Sequence, residues 1–261
     1  MLVDTGANSH VVSAWLARKI GLPMQKLGDL GTDHVGKSIA TYRIDRADIT
    51  LEGWGGLSTT TVLATEVPDV IEKLGIGAFI SPQRLVEEGD SVVLDLKAGE
   101  IRASWWDDER EAHVGGESLV AGDGRGHACE ETEGPIHGLA FVLPAKVESH
   151  DVRLLLDTGA QHSDVFVSSR AGQRLAGASV GNKEPMYTAS GKISARKVRA
   201  AKVVAGRVKA VTDVDLIQGT SEPTCPRDGV LAMDILRSCS LLLGRSSVLG
   251  RCEPPPGSAA R

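Results

Sequence analysis

Two aspartates, Asp4 and Asp157, each open the tetrapeptide Asp-Thr-Gly-Ala, and each follows two aliphatic residues, Leu2-Val3 and Leu155-Leu156 respectively. The pattern is that of a buried strand running into a glycine-containing turn, which would hold a carboxylate in a fixed place. One such turn is ordinary, because Asp, Thr and Gly all favour turns. Two copies form an internal repeat and bring paired-carboxylate chemistry into view. Carboxyl groups in contact do not both ionise easily, so they share a proton. The ionised member can then take a proton from water, while the protonated member polarises a carbonyl and passes its proton to the leaving nitrogen. That chemistry hydrolyses an amide and calls for no cofactor and no metal. Gly6 and Gly159 would let the backbone close beneath the carboxyl groups, where a Cβ would intrude.

Beyond the tetrapeptides, further landmarks keep step. Gly36-Lys37 begins 32 residues after Asp4, and Gly191-Lys192 begins 34 after Asp157. An alternating, β-branched stretch follows each, over residues 39–51 and 193–204, as expected of a hairpin returning into a sheet. Gly75-Ile76-Gly77 begins 71 residues after Asp4, and Gly229-Val230-Leu231-Ala232 begins 72 after Asp157. The spacing implies one fold present twice.

The elements that must position the two turns are mostly strands. Residues 59–63, 91–96, 140–143, 152–156 and 198–204 are short, β-rich and separated by turn formers. Residues 13–20 read as a short helix, with Ser13 as its N-cap and Gly21-Leu22-Pro23 as its stop. Residues 107–135 gather acidic residues and glycines without hydrophobic periodicity, which is the composition of a linker. The expected organisation is therefore a lobe over residues 1–106, an acidic Gly-rich linker over 107–135, a second lobe over 136–250 and a disordered tail over 251–261. Ahead of its Asp the second lobe has an apolar hairpin, residues 138–156, whereas the first has only Met1 to Val3, so the first is expected to lack its opening strands.

These residues resemble the retropepsin-like aspartic peptidases, including the forms that carry Asp-Thr-Gly-Ala. The resemblance spans both lobes. It rests on Asp4-Thr5-Gly6-Ala7 with Val11-Val12-Ser13, and on Asp157-Thr158-Gly159-Ala160 with the run from Gly229 to Leu236. Ala232 stands where the family usually has Gly. The resemblance implies an all-β, acid-protease fold of two retropepsin-like lobes related by a pseudo-twofold, each with one short helix. It implies that Asp4 and Asp157 are catalytic and that the hydroxyls of Thr5 and Thr158 reach across to the opposite lobe's backbone. The hairpins at Gly36, Lys37 and at Gly191, Lys192 become candidate flaps. Ala7 and Ala160 supply no hydroxyl to favour the ionised Asp, so a mildly acidic optimum is expected. The implied activity is that of an aspartic endopeptidase on a peptide or protein substrate. The alternative is a catalytically silent descendant that binds peptides or assembles with a partner.

Composition narrows the remaining classes. The chain has 261 residues, 41% hydrophobic and 3% aromatic, with 30 glycines and a net charge of −5. Its Lys and Arg are scattered, so no basic stripe follows a phosphate backbone and nucleic acid is not an expected partner. No apolar run suggests a membrane span, and cytoplasmic and extracytoplasmic locations both fit. One chain carrying both aspartates has no need to dimerise for chemistry, so it is expected to act as a monomer. Cys129, Cys225, Cys239 and Cys252 lack paired CxxC spacing and read as isolated thiols rather than disulfides. His127 with Cys129 is too small a ligand set for a metal site. His10 and His162 read as loop residues near the cleft, Asp95 and Asp234 as structural, and Trp105-Trp106 as cover for the end of the first lobe's sheet.

Overall fold

The computed structural model describes residues 1–253 except 34, 46, 52–54, 59–60, 86–89, 115–126, 132–137, 178–179 and 222–224. Strands dominate, as in acid proteases, and they form three main sheets. The first half builds a six-stranded sheet in the order Leu2–Val3, Ala78–Ile80, Val11–Ser13, Thr61–Thr65, Ser38–Asp45 and Gln25–Thr32. In the second half an eight-stranded sheet runs His127–Glu131, Gly138–Val147, His150–Leu156, Gly229–Leu231, Asp164–Phe166, Val208–Ile217, Gly191–Ala205 and Val180–Thr188.

The strand pairings around each Asp-Thr-Gly-Ala recur in matching register. Val3 lies beside Ile80 in a parallel pair, as Leu156 lies beside Leu231. Val11 pairs with Leu63 in parallel and with Phe79 antiparallel; Asp164 pairs likewise with Asp215 and Val230. Asp157 therefore leaves the end of a strand held between two neighbours, whereas Asp4 leaves an edge strand that, among the described residues, pairs only with Ala78–Ile80.

A four-stranded sheet draws on both halves. Glu100–Trp105 and Asp90–Asp95 come from the first, Cys239–Leu243 and Val248–Cys252 from the second. Apolar side chains of this sheet, including Val92, Leu94, Leu241 and Leu243, join the core around Phe141, Leu154, Leu156 and Leu231. A smaller apolar cluster of Val12, Ala17, Ile44, Ala47, Val62 and Ala64 sits within the first half. The larger core thus ties the halves together through burial of whole Leu and Phe side chains, each worth about 1.5–3 kcal/mol.

Several local expectations need correction. The helix near residue 14 runs Ala14–Lys19, burying Ala14 and Ala17, and Gly21 at φ 75° supplies the left-handed turn that ends it. Ser13 occupies its N-cap position, but the hydroxyl donates to Ile76 O at 3.0 Å instead of capping. One helix per lobe is too few. Asp69–Lys73 is a second helix in the first half, begun by Pro68 and favoured by Asp69 and Glu72 in its first turn; the second half has Arg170–Leu175 and Met233–Leu236.

Within the stretch read as linker, Trp106–Val114 is a helix with three acidic residues in its first turn, and His127–Glu131 is an edge strand. The rest of that stretch, 115–126 and 132–135, lies outside the described residues, as does 254–261 of the tail. Cys252, placed in the tail, belongs to a strand. Trp106 lies against Gly244 on the sheet shared by both halves, and Trp105 is 60% exposed, so the pair does not cover the first half's own sheet.

Nor are the cysteines isolated. Cys129 is bonded to Cys225 and Cys239 to Cys252. Spacing along the chain hid these pairs because strand pairing, not sequence proximity, brings the thiols together: Cys239 and Cys252 are direct partners across a hairpin. Among the described residues no helix is long and apolar enough to cross a membrane.

Candidate active site

Both Asp-Thr-Gly-Ala turns are built the same way. The Asp4 amide donates to Ile80 O at 2.8 Å, and the Asp157 amide to Leu231 O at 3.0 Å, which fixes each aspartate at its strand's end. The turn then folds its own amides back. Gly6 N and Ala7 N donate to Asp4 Oδ1 at 2.8 and 3.1 Å; Gly159 N and Ala160 N donate to Asp157 Oδ1 at 2.8 and 3.0 Å. Two donors on one oxygen favour the ionised form of Asp4.

The threonines join the turns. Thr5 Oγ1 donates to Leu156 O at 2.8 Å and accepts from Thr158 N at 3.0 Å. Thr158 Oγ1 donates to Val3 O at 2.9 Å and accepts from Thr5 N at 3.1 Å. Each hydroxyl thus spends its donor and an acceptor on the opposite half, and Thr5 is fully buried. Such a closed network holds because any broken member would leave a buried polar group unpaired, at about 1–3 kcal/mol.

The glycines show where the carboxyl groups go. A Cβ on Gly6 would collide with the carboxyl carbon of Asp157, and one on Gly159 would stand 2.6 Å from that of Asp4. Each carboxyl group crosses over the opposite turn. The side chains of Asp4 and Asp157 face each other closely enough for a hydrogen bond, which forms when one of the two is protonated. Burial, then the charge of Asp157, then that shared hydrogen bond hold Asp4 well above the ordinary carboxylate range; the Gly6 and Ala7 amides oppose this. Asp4 therefore holds its proton to higher pH than an ordinary aspartate does.

The two candidate flap hairpins meet at their tips. Asp33 Oδ1 accepts from Val35 N and Lys37 N, shaping the first tip, where Gly36 takes φ 82°. In the second hairpin Thr188 pairs with Gly191, leaving residues 189–190 as its connection, and Ser190 Oγ donates to Asp33 Oδ2 at 2.5 Å. Val35 is buried with Phe166, Ala195 and Ile217 of the second half, and Val35 O accepts from Thr220 N at 3.2 Å. Lys37 and Lys192 stay exposed.

With that geometry in place, the chain can be set beside known proteins. Residues 143–235 match the model of the aspartyl protease family. The matched span holds Asp157-Thr158-Gly159-Ala160 and ends in the Met233–Leu236 helix. No curated protein matches the chain. The segment similar to that family thus includes the second turn.

The supports behind the turns were only partly visible in the sequence. Asp234 has a structural role: its Oδ1 accepts from Ser163 N and Oγ, and its Oδ2 from Thr212 Oγ1. Ser163 Oγ in turn accepts from Ala232 N at 3.0 Å. In the first half the corresponding place is taken by His10, whose Nδ1 accepts from Ser81 N at 3.2 Å. His162 is an exposed loop residue, and Asp95 accepts from Lys97 N and Ala98 N in a turn. Cys129 is committed to its disulfide, which removes it from metal ligation.

Burial first, and the Arg84 charge second, push the His10 imidazole down to about 4 from 6.5. Only the neutral ring can accept from Ser81. A histidine depressed on folding binds fewer protons folded than unfolded, so its contribution to stability is fully present above pH 6.5 and is lost as pH falls through about 4. The loss amounts to about 3 kcal/mol at most. Urea unfolding at pH 7 and pH 4 should show this slope in the wild type, and His10→Ser, which copies Ser163, should flatten it. An equal slope in both would remove His10 from the account.

Proposed function

We propose that the chain is an aspartic endopeptidase of the bilobed, retropepsin-like kind, its lobes being residues 1–106 and 136–250 and its catalytic pair Asp4 and Asp157. The observation that carries this reading is the crossed placement of the carboxyl groups over Gly6 and Gly159 within the Thr5–Thr158 network. The recurring strand register supports an internal duplication.

A water held between the carboxyl groups would lose a proton to the ionised member as it attacks the scissile carbonyl. The protonated member polarises that carbonyl and then delivers its proton to the leaving amine. The amides of Gly6, Ala7, Gly159 and Ala160 keep one oxygen of each aspartate fixed, leaving the other free for water and substrate. Thr5, Thr158 and Ala160 act as turn support, and chemistry requires no second chain.

The hairpins at Gly36, Lys37 and at Gly191, Lys192 serve as flaps. Their meeting tips suit a closed state that excludes water, and opening would break the Ser190–Asp33 bond and expose Val35. An extended peptide entering beneath them would pair its backbone with the cleft like an added strand.

Incubation with denatured casein across pH 3–8 tests the proposal. Cleavage at mildly acidic pH, blocked by a pepstatin-type inhibitor, is the expected result. Peptide capture without turnover at every pH would favour a silent binding module instead.

A further inference from the structure

The two turns share their geometry but not their support, and the difference centres on Gln83. By strand register, Ile80 corresponds to Leu231, so Pro82 and Gln83 correspond to Met233 and Asp234. In the second half Met233 N donates to Ala160 O at 3.1 Å and closes the turn. Pro82 has no amide hydrogen and cannot do the same for Ala7 O.

Gln83 supplies the missing donor from its side chain. It is 2% exposed, and Nε2 lies 2.8 Å from Ala7 O, 3.0 Å from Thr5 O and 2.8 Å from Leu139 O. Thr5 O belongs to the same planar peptide unit as the Gly6 amide hydrogen, and in a trans peptide the two point in opposite directions. Holding Thr5 O therefore aims Gly6 N–H at Asp4 Oδ1. Leu139 belongs to the Gly138–Val147 strand of the second half, and its own amide donates to Asn8 O at 2.8 Å. The same carboxamide thus ties the Asp4 turn to the other half.

The arrangement is costly to keep: Gln83 Oε1 is buried without a hydrogen-bond partner among the described residues. An apolar side chain of similar size would avoid that penalty, so packing alone does not account for an amide here.

We propose that Gln83 is a positioning residue for Asp4, setting the proton affinity of that carboxyl group by orienting the Thr5–Gly6 peptide. For catalysis this rests on the peptidase reading, but its effect on Asp4 does not. Without the amide, Gly6 N–H loses its aim, the ionised form of Asp4 loses a donor, and the carboxyl group titrates higher.

The test compares wild type, Gln83→Met and Gln83→Glu, with Thr212→Val as a control that touches only the second half's support. Carbon-13 NMR of labelled aspartate carboxyls reads the Asp4 midpoint, and casein cleavage reads the rate. The Asp4 midpoint should move upward in Gln83→Met and stay in place in Thr212→Val, and kcat at pH 4 should fall roughly 10- to 100-fold. Gln83→Glu, able to donate only when protonated, should recover activity as pH falls.

If Gln83→Met does not fold, the upward Asp4 midpoint is read in Gln83→Glu above the pH at which the new carboxyl ionises. An unmoved Asp4 midpoint in a folded variant overturns the proposal, even if melting temperature drops. Absence of cleavage by wild type sinks the peptidase reading and leaves the NMR midpoint to decide the role of Gln83.

Discussion

Asp157→Asn should slow casein cleavage by roughly 10²–10⁴-fold at the wild type's best pH while leaving the fold intact. The substitution is nearly isosteric, and an Asn Oδ1 can still accept from Gly159 N and Ala160 N, so the second turn has no reason to unravel. What disappears is the shared proton. An amide can neither take a proton from water nor hand one to the leaving nitrogen, and Asp4 alone cannot hold both states at once.

A second readout separates lost chemistry from lost structure. Asp4 is raised by burial first and by Asp157 next, so the folded state holds its proton more tightly than the unfolded chain. Folding stability therefore declines as pH rises above 3.8 through that raised value. Removing the Asp157 charge relieves part of this, so Asp157→Asn should be more stable than wild type in urea at neutral pH. Equal cleavage by the two proteins, or a variant less stable at neutral pH, would show that the carboxyl groups do not interact as described.

The repeat was legible because it is written in residue types with few substitutes. Asp-Thr-Gly-Ala needs a carboxylate, a hydroxyl that can both donate and accept, and a residue without a Cβ, and each requirement leaves its mark at a fixed position. Strands also announced themselves: the β-branched stretch from residue 193 lies within the Gly191–Ala205 strand. What stayed hidden depends on contacts between distant residues. Gln83 looks like any polar residue after a proline until the fold sets Leu139 beside Ala7. Its one sequence signal is the Pro82-Gln83 pair standing where the second half has Met233-Asp234, which becomes readable only once the halves are aligned.

The helix Trp106–Val114 was lost for a related reason. Its acidic first turn made it look like linker, yet a tertiary contact fixes it: His113 Nδ1 donates to Glu109 O within the helix, which leaves Nε2 to accept from Ser240 Oγ at 3.2 Å. Composition alone carries no trace of the sheet on which such a helix lies.

Opening the Cys129–Cys225 disulfide should cost more stability than opening Cys239–Cys252. The first spans 96 residues of chain and the second 13. If the bond acts by restricting the unfolded chain, the longer loop is worth about 4–5 kcal/mol and the shorter about 3. Location adds to the difference. Cys225 is buried beside Leu155, Val230 and Ala232, next to the strands that carry Asp157 and receive its amide, and the bond anchors the His127–Glu131 edge strand to them. Cys239 and Cys252 already face each other in a paired hairpin that hydrogen bonds would hold without help. Urea unfolding of Cys129→Ala/Cys225→Ala and of Cys239→Ala/Cys252→Ala, each beside the oxidised wild type, measures both losses. The first variant should also lose cleavage at lower urea than the wild type, because its weakened strands carry the Asp157 turn proposed to be catalytic. Equal midpoints for the two variants would mean that loop length is not what the longer bond controls.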